Sequence, residues 1–203
     1  MIFIYAILLS ALIDVLIGWP YKIFSRIGHP VTWIGNLISL LDFCFNGENL
    51  RNKVRKFNGF LVLFFLISIF GLLSFYVQNF IFLSIEQSWI KVIFLAVLFW
   101  PLLAFRSMFE HVYSVYSALF VENILDARDE VAKIVGRETN NMTEGEIIRA
   151  TIESLAENTS DAITAPIFWA LIFGFPGIVC YKIINTLDSM IGHKTNKYEA
   201  FGW

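Results

Sequence analysis

Long apolar runs alternate with short polar stretches along this chain, and the runs set the expected elements. The first run extends from Ile2 to about Ile17 and is interrupted by Asp14. The second, Phe60 to Ile85, is the cleanest, since roughly twenty apolar residues suffice to cross the ~30 Å hydrocarbon core of a bilayer. A third, Trp89 to Phe105, holds Pro101, which membrane helices tolerate better than soluble ones. A fourth, Ile163 to Ile184, is broken by Pro166 and by GFPG at 174–177. That break fits either two half-helices forming a re-entrant hairpin or one kinked span.

Between the first two runs lies NLRNKVRKFNG, with Arg51, Lys53, Arg55 and Lys56 and only Glu48 nearby. It reads as a short cytoplasmic loop, because loops rich in Lys and Arg stay on that side. The N-terminus then lies outside, and two crossings later residues 106–162 return to the cytoplasm. That segment predicts soluble helices over ENILDARDEVAKIV and MTEGEIIRATIESLAENTSDA, separated by GRETNN. Thr143 followed by Glu146 fits a capping box that opens the second of them. The expected fold is an all-α, polytopic integral membrane protein. Its regions are an N-terminal membrane region at 1–105, a polar helical loop at 106–162, and a broken or re-entrant segment with a polar motif at 163–203.

Composition agrees with that picture. Hydrophobic residues make up 57% of the chain, with 21 Phe and a mean hydropathy of +0.66, well above a soluble domain of this length. A formal charge of −2 supplies no basic field for nucleic acid. Cys44 and Cys180 lack metal-ligand spacing and read as buried thiols rather than a disulfide. The N-terminus has no positive n-region and no small-residue cleavage site, so it reads as a retained membrane helix.

The chemistry concentrates in the polar segments. Arg149, Glu153, Glu157 and Asp161 follow at i, i+4 spacing and form one stripe on a helix. Successive like charges cost a few tenths of a kcal/mol each. A divalent cation such as Mg²⁺ would offset them, with a solvated helix face as the bland alternative. Asn158 and Ser160 sit among these acids. Lys182, Asn185, Ser189 and His193 share a second expected face, with Asp188 beside it; ionisable groups at membrane depth are expensive without a partner or a role. Asp14, inside an apolar run, could simply end a helix, and His29, before Pro30, is biased to extended geometry that exposes its side chain at a turn. Arg106 reads as an interfacial anchor closing a span. Arg137, in the GRET turn, fits a phosphate contact or a helix cap.

The blocks HPVTWIGNLI, RSMFEHV, IVGRET, ESLAENTSDAITAPIFWAL and NTLDSMIGHKTNKYEAFGW resemble the CobD/CbiB family of cobalamin biosynthesis, in family order and from His29 to Trp203. The resemblance implies a membrane-bound adenosylcobinamide-phosphate synthase. Such an enzyme uses ATP to join adenosylcobyric acid, a corrinoid, to an aminoalcohol phosphate such as aminopropanol phosphate through an amide. On that reading Glu153, Glu157, Asp161 and Asp188 hold the Mg²⁺ of ATP. Arg137, Lys182 and Lys194 face phosphate, with Asn158, Ser160, Asn185 and Ser189 as further binding residues. His193, Asp188 or Glu157 manages the amine's proton. The expected location is the inner cell membrane, multi-pass, with a cytoplasmic active face, and homo-oligomers are compatible with it. Family members usually continue past FGW through a further acidic block and more membrane helices, so these 203 residues alone are expected to be inactive. A transporter with a broken helix or a non-catalytic sensor of the same superfamily is the alternative. The first should show inverted halves, and the second should lack the dense ENTSD and NTLDS sets.

Overall fold

Helix α1 (Ile2–Ile17) and α2 (Pro30–Phe45) begin a computed structural model that describes residues 1–20, 25–47 and 49–203. Part of the amino-terminal polar set, residues 21–24, and Glu48 lie outside the described residues. Pro30 at the first helical position suits the start of α2 because its missing N–H would be unpaired there anyway. His29 caps that start, its Nδ1 accepting the Val31 N–H at 3.2 Å. Among the described residues all regular structure is helical.

The long helix α3 runs Asn52–Ser84. The basic residues read as a loop therefore mostly form its first turns, and Arg55 is buried rather than solvated. Only 17% of the most apolar 18-residue window of α3 is buried inside the protein, which a core helix of a soluble domain would not show. Phe60, Phe64, Phe80 and Leu83 all face outward. Helix α4 (Ser88–Phe99) passes into a 3₁₀ turn at Trp100–Leu102 that contains Pro101. Leu103 is extended, and α5 (Phe105–Phe120) starts afresh. Arg106 thus opens a helix and does not close one. Among the described residues, the run Ser88–Phe120 and α3 are the two stretches long and apolar enough to cross a membrane.

Helices α6 (Ile124–Ala132) and α7 (Glu144–Thr159) follow the sequence pattern closely. The expected capping box is present: the Glu146 carboxylate accepts from the Thr143 N–H at 2.7 Å and its hydroxyl at 2.8 Å. These two bonds hold the Glu146 carboxyl below its usual range. Val115, Ala127, Val131, Ile147 and Ala150 join α5, α6 and α7 in a small core of their own.

After α7 the chain winds through a wide π turn, Ser160–Thr164, whose last bond runs from the Ala165 N–H to the Ser160 carbonyl. Pro166 is the physical cause: it has no N–H to donate and its ring crowds the carbonyl four residues back, so the turn widens. Helix α8 (Ala165–Phe173) then meets Gly174, at φ 67° and ψ −139°, and α9 (Phe175–Ile191) leaves it in the opposite sense. The reversal is tight, for Gly177 of α9 packs directly on the Trp169 carbonyl of α8. Gln78 of α3 secures the tip, its Oε1 accepting the Phe175 N–H at 2.7 Å. From there α9 runs back along α3, with Gly71 opposite Cys180. One apolar cluster at the tip end includes Ile7, Ile81, Phe99 and Ile178; a second includes Ile38, Leu66, Ile183 and Phe201.

Helix α9 stops at Ile191, so His193 does not extend its face as expected. The tail is drawn back instead over α2 and α3. Lys197 Nζ donates to Asp42 Oδ2 at 2.7 Å, Asn46 Nδ2 to Asp42 Oδ1 at 2.8 Å, and Arg55 Nε to Asn46 Oδ1 at 2.8 Å. Arg55 also donates to the Lys197 carbonyl. Phe201 carries its carbonyl onto Gly59, a position where a Cβ would not fit. The bonds to Asp42 and Tyr198 push the Lys197 ammonium pKa above the usual lysine range. A raised pKa means that this stabilisation is complete below the ordinary lysine pKa and lost as pH climbs through the folded value. Lys197 is half exposed, so Lys197→Met is expected to cost only about 1.5 kcal/mol. Thermal unfolding in detergent should show that loss near neutral pH and a converging wild type in strong alkali. Cys44 is exposed, contrary to the expected burial, because its side of α2 faces away from the protein; neither thiol is in a disulfide.

Candidate active site

The hairpin of α8 and α9 returns the chain to the end from which it left, and this assembles the site. Asp161, in the π turn, and Asn185, on α9, are 24 residues apart in sequence, yet Asn185 Nδ2 donates to Asp161 Oδ2 at 3.4 Å. Tyr181 lies within coulombic range of both Asp161 and Asp188. Lys182 is within range of Asp161 on one side and His29 on the other. Asp161, Tyr181, Lys182, Asn185 and Asp188 therefore form one polar patch at the open end of the hairpin. Lys182 is its buried member, only 8% exposed, between Ile178 of one apolar cluster and Ile183 of the other.

Other residues of the expected set are more dispersed. Arg137 Nη2 donates to Glu153 Oε2 at 2.8 Å in an exposed pair, so each already has a partner. Glu157 is exposed on α7, one turn nearer Asp161. Asn158 donates back to the Ser154 carbonyl at 2.8 Å, and Ser189 to the Asn185 carbonyl at 2.9 Å. Ser160 begins the π turn. His193 is exposed past the end of α9, and Lys194 lies 4.6 Å above the Trp203 ring.

Glu153, Glu157, Asp161 and Asp188 do not converge as a ligand set: among the described residues no three acidic, His or Cys side chains are grouped to hold a metal. Mg²⁺ needs less than that, because it binds through one or two carboxylates and completes its shell with water and substrate phosphate. Asp161, which accepts from Asn185 of α9, and Asp188, three residues further along that helix, are the acids nearest that requirement. Glu153, committed to Arg137, does not.

Two cavities adjoin the patch and share Ala104 and Ser107 as wall. The larger, ≈ 690 Å³, lies between α1, the turn before α2, the start of α5 and Lys182. Asp14 and Arg106 face it, linked through the Arg106 N–H, which donates to Asp14 Oδ2 at 3.2 Å. Arg106 also donates through Nε to Glu110 at 2.6 Å and through Nη1 to the Leu16 carbonyl at 2.8 Å. It is an organiser of this wall rather than a free interfacial anchor. Sequence reasoning left Asp14, Trp19, His29, Arg106 and Glu110 outside the site. The detectable signal was a carboxylate within the apolar run of α1, which is costly unless something pairs with it. The smaller cavity, ≈ 350 Å³, is walled by α5, the segment after α6, α7 and Ala162.

Comparison with known proteins agrees with the motif order. A family model described as CobD/Cbib protein matches residues 7–203. The cobalamin biosynthesis protein CobD of Rhodobacter capsulatus is 44% identical over 191 residues, covering 94% of this chain and 59% of the relative. The protein of the same name from Clostridium tetani is 40% identical over 199 residues, 97% of this chain and 60% of the relative. The one from Rhizobium meliloti is 37% identical over 198 residues, 97% and 59%. This chain thus spans about 60% of the length of the curated relatives it matches. No solved structure matches it. With nearly its whole length matched in family order, the chain belongs to the CobD/CbiB family of cobalamin biosynthesis proteins.

Proposed function

We propose that the chain belongs to an adenosylcobinamide-phosphate synthase, an ATP-dependent acid–amine ligase of the inner membrane. The observation that carries this reading is the Asp161–Asn185 contact, which joins the ENTSDA and NTLDSMIGH motifs beside a buried lysine. The corrinoid's propionate is a poor acyl donor. Its oxygen takes the γ-phosphoryl group of ATP, ADP leaves, and an acyl phosphate results. The nitrogen of aminopropanol phosphate or a related aminoalcohol phosphate then attacks the acyl carbon, the phosphate departs, and the amine's proton passes to a base.

Mg²⁺, when bound, would neutralise triphosphate charge, and Asp161 and Asp188 are the residues we assign to hold it. Asn185 orients Asp161. His193, exposed just past the end of α9, is our choice of proton acceptor, with Glu157 as the second. Lys182 supplies positive charge against oxyanions, since Arg137 is already tied to Glu153 and Lys194 is stacked on Trp203. We read the hairpin as re-entrant: its tip stops at Gln78, short of the end of α3 at Ser84, so both motifs stay on the cytoplasmic face.

The test is conversion of adenosylcobyric acid by a chain extended to the relatives' length, purified in detergent. ATP- and aminopropanol-phosphate-dependent formation of the amide with release of ADP is expected. Binding of the corrinoid with no ATP-dependent product would remove the ligase reading.

A further inference from the structure

We infer that the pocket between the first turns of α3 and the tail seats the headgroup of an anionic phospholipid, with its phosphate on Lys53 and Lys56 and its chains along a Phe face of α3. The inference needs α3 to cross the bilayer; it does not rest on the ligase reading.

Length places these lysines at headgroup level. Helix α3 has 33 residues, a rise of about 50 Å, against a hydrocarbon core of ~30 Å. No charged residue of α3 follows Lys56, so the excess length falls partly on the turn that carries Lys53 and Lys56. From Lys53 the same helix face runs on through Phe57, Phe60 and Phe64. All three rings are exposed, and Phe60 stacks on Phe64 at 6.4 Å. The cationic turn thus opens directly onto a surface fit for acyl chains.

The tail makes a pocket of that turn. Arg55 turns inward to Asn46 and the Lys197 carbonyl, and the Phe201 carbonyl rests against Gly59. Held by those contacts, the tail supplies Asn196, Glu199 and Ala200 as one wall of a ≈ 270 Å³ cavity, with Asn52, Lys53 and Lys56 as the other. Both lysines are exposed, and neither is in an ion pair among the described residues. Asn52 and Asn196 add amide donors for headgroup oxygens. Glu199 is the one acid of this lining; it offsets one lysine and can accept from a headgroup hydroxyl. A net positive charge remains. A phosphodiester headgroup with one negative charge matches it, and a zwitterionic headgroup does not.

Native mass spectrometry of the extended protein in neutral detergent reads the binding lipid by lipid. Phosphatidylglycerol is expected to bind more tightly than phosphatidylethanolamine or phosphatidylcholine. Joint Lys53→Gln and Lys56→Gln should weaken phosphatidylglycerol by about tenfold or more and leave phosphatidylcholine unchanged. Lys91→Gln, in α4 near the opposite end of α3, should change nothing. Asn196→Trp fills the pocket and leaves every charge in place, so it should abolish the preference. A preference that survives it makes the lysines a diffuse basic surface and overturns the site. If the tryptophan disturbs the tail, Asn196→Asp decides: weakened phosphatidylglycerol binding supports the site, and unchanged binding rejects it. Equal affinity for the three lipids, or displacement of phosphatidylglycerol by inorganic phosphate alone, would also overturn the inference. The same selectivity in a protein forming no amide would leave this site standing while the ligase reading fell.

Discussion

Gly174→Ala is expected to open the α8–α9 hairpin and to destabilise the protein. At φ 67° and ψ −139° the residue occupies backbone space that an L side chain enters only at a cost of about 1–3 kcal/mol. Space is also lacking: the added Cβ would fall on Gln78 Oε1 and within 2.6 Å of the Phe3 ring. Gln78 is the residue that receives the Phe175 N–H, so the clash would also disturb the bond securing the tip. In detergent the variant should unfold at a lower temperature. Cys180, half-buried on α9, should react faster with a thiol reagent in a Cys44→Ser background. Wild-type stability together with unchanged Cys180 reactivity would mean that the reversal does not depend on this glycine.

The second large effect is expected on rate rather than on folding. Asp161→Asn keeps the side chain's shape and a carbonyl oxygen but removes the charge that a hard cation selects. Turnover by the extended enzyme should fall by about 10²-fold or more, the scale on which removing one charge-stabilising group acts. Stability should hold, because Asp161 is only partly buried and its contact with Asn185 is long, at 3.4 Å. Glu153→Gln is expected to change rate little, since its carboxylate is occupied by Arg137 on an exposed face. Near-normal turnover of Asp161→Asn with an unchanged Mg²⁺ dependence would return the whole acidic stripe to the surface of α7.

Local signals in the sequence carried well into the structure. Thr143 and Glu146 lie three residues apart and satisfy each other directly, so the start of α7 was legible without any tertiary knowledge. The bounds of α1 matched the apolar run from Ile2 to Ile17. GFPG marked a break, but whether it reversed the chain depended on Gln78 and Phe3, which come from elsewhere. The start of α3 was misread for a different reason. A polar, basic stretch before an apolar run has the same composition whether it is a loop or the first turns of a helix, and Arg55 became helical because Asn46 and Lys197 receive it.

In the site, the acids and lysine of ENTSDA and NTLDSMIGHK stood out by composition alone. Their division did not. Arg137 and Glu153 pair across 16 residues, which withdraws Glu153 from a stripe that looked continuous. The wall of the larger cavity was hidden more thoroughly, because Asp14 meets Arg106 across 92 residues and no local pattern encodes that distance.

The account stands on one claim above the others: the fourth apolar stretch reverses and brings both polar motifs to one face of the membrane. Single cysteines at Ser160 and at Lys194, in a background lacking Cys44 and Cys180, can be labelled in intact, oriented vesicles with a membrane-impermeant thiol reagent. Both positions should react from the same, cytoplasmic, side. Labelling from opposite sides would make the stretch a single span, separate Asp161 from Asp188, and contradict the site.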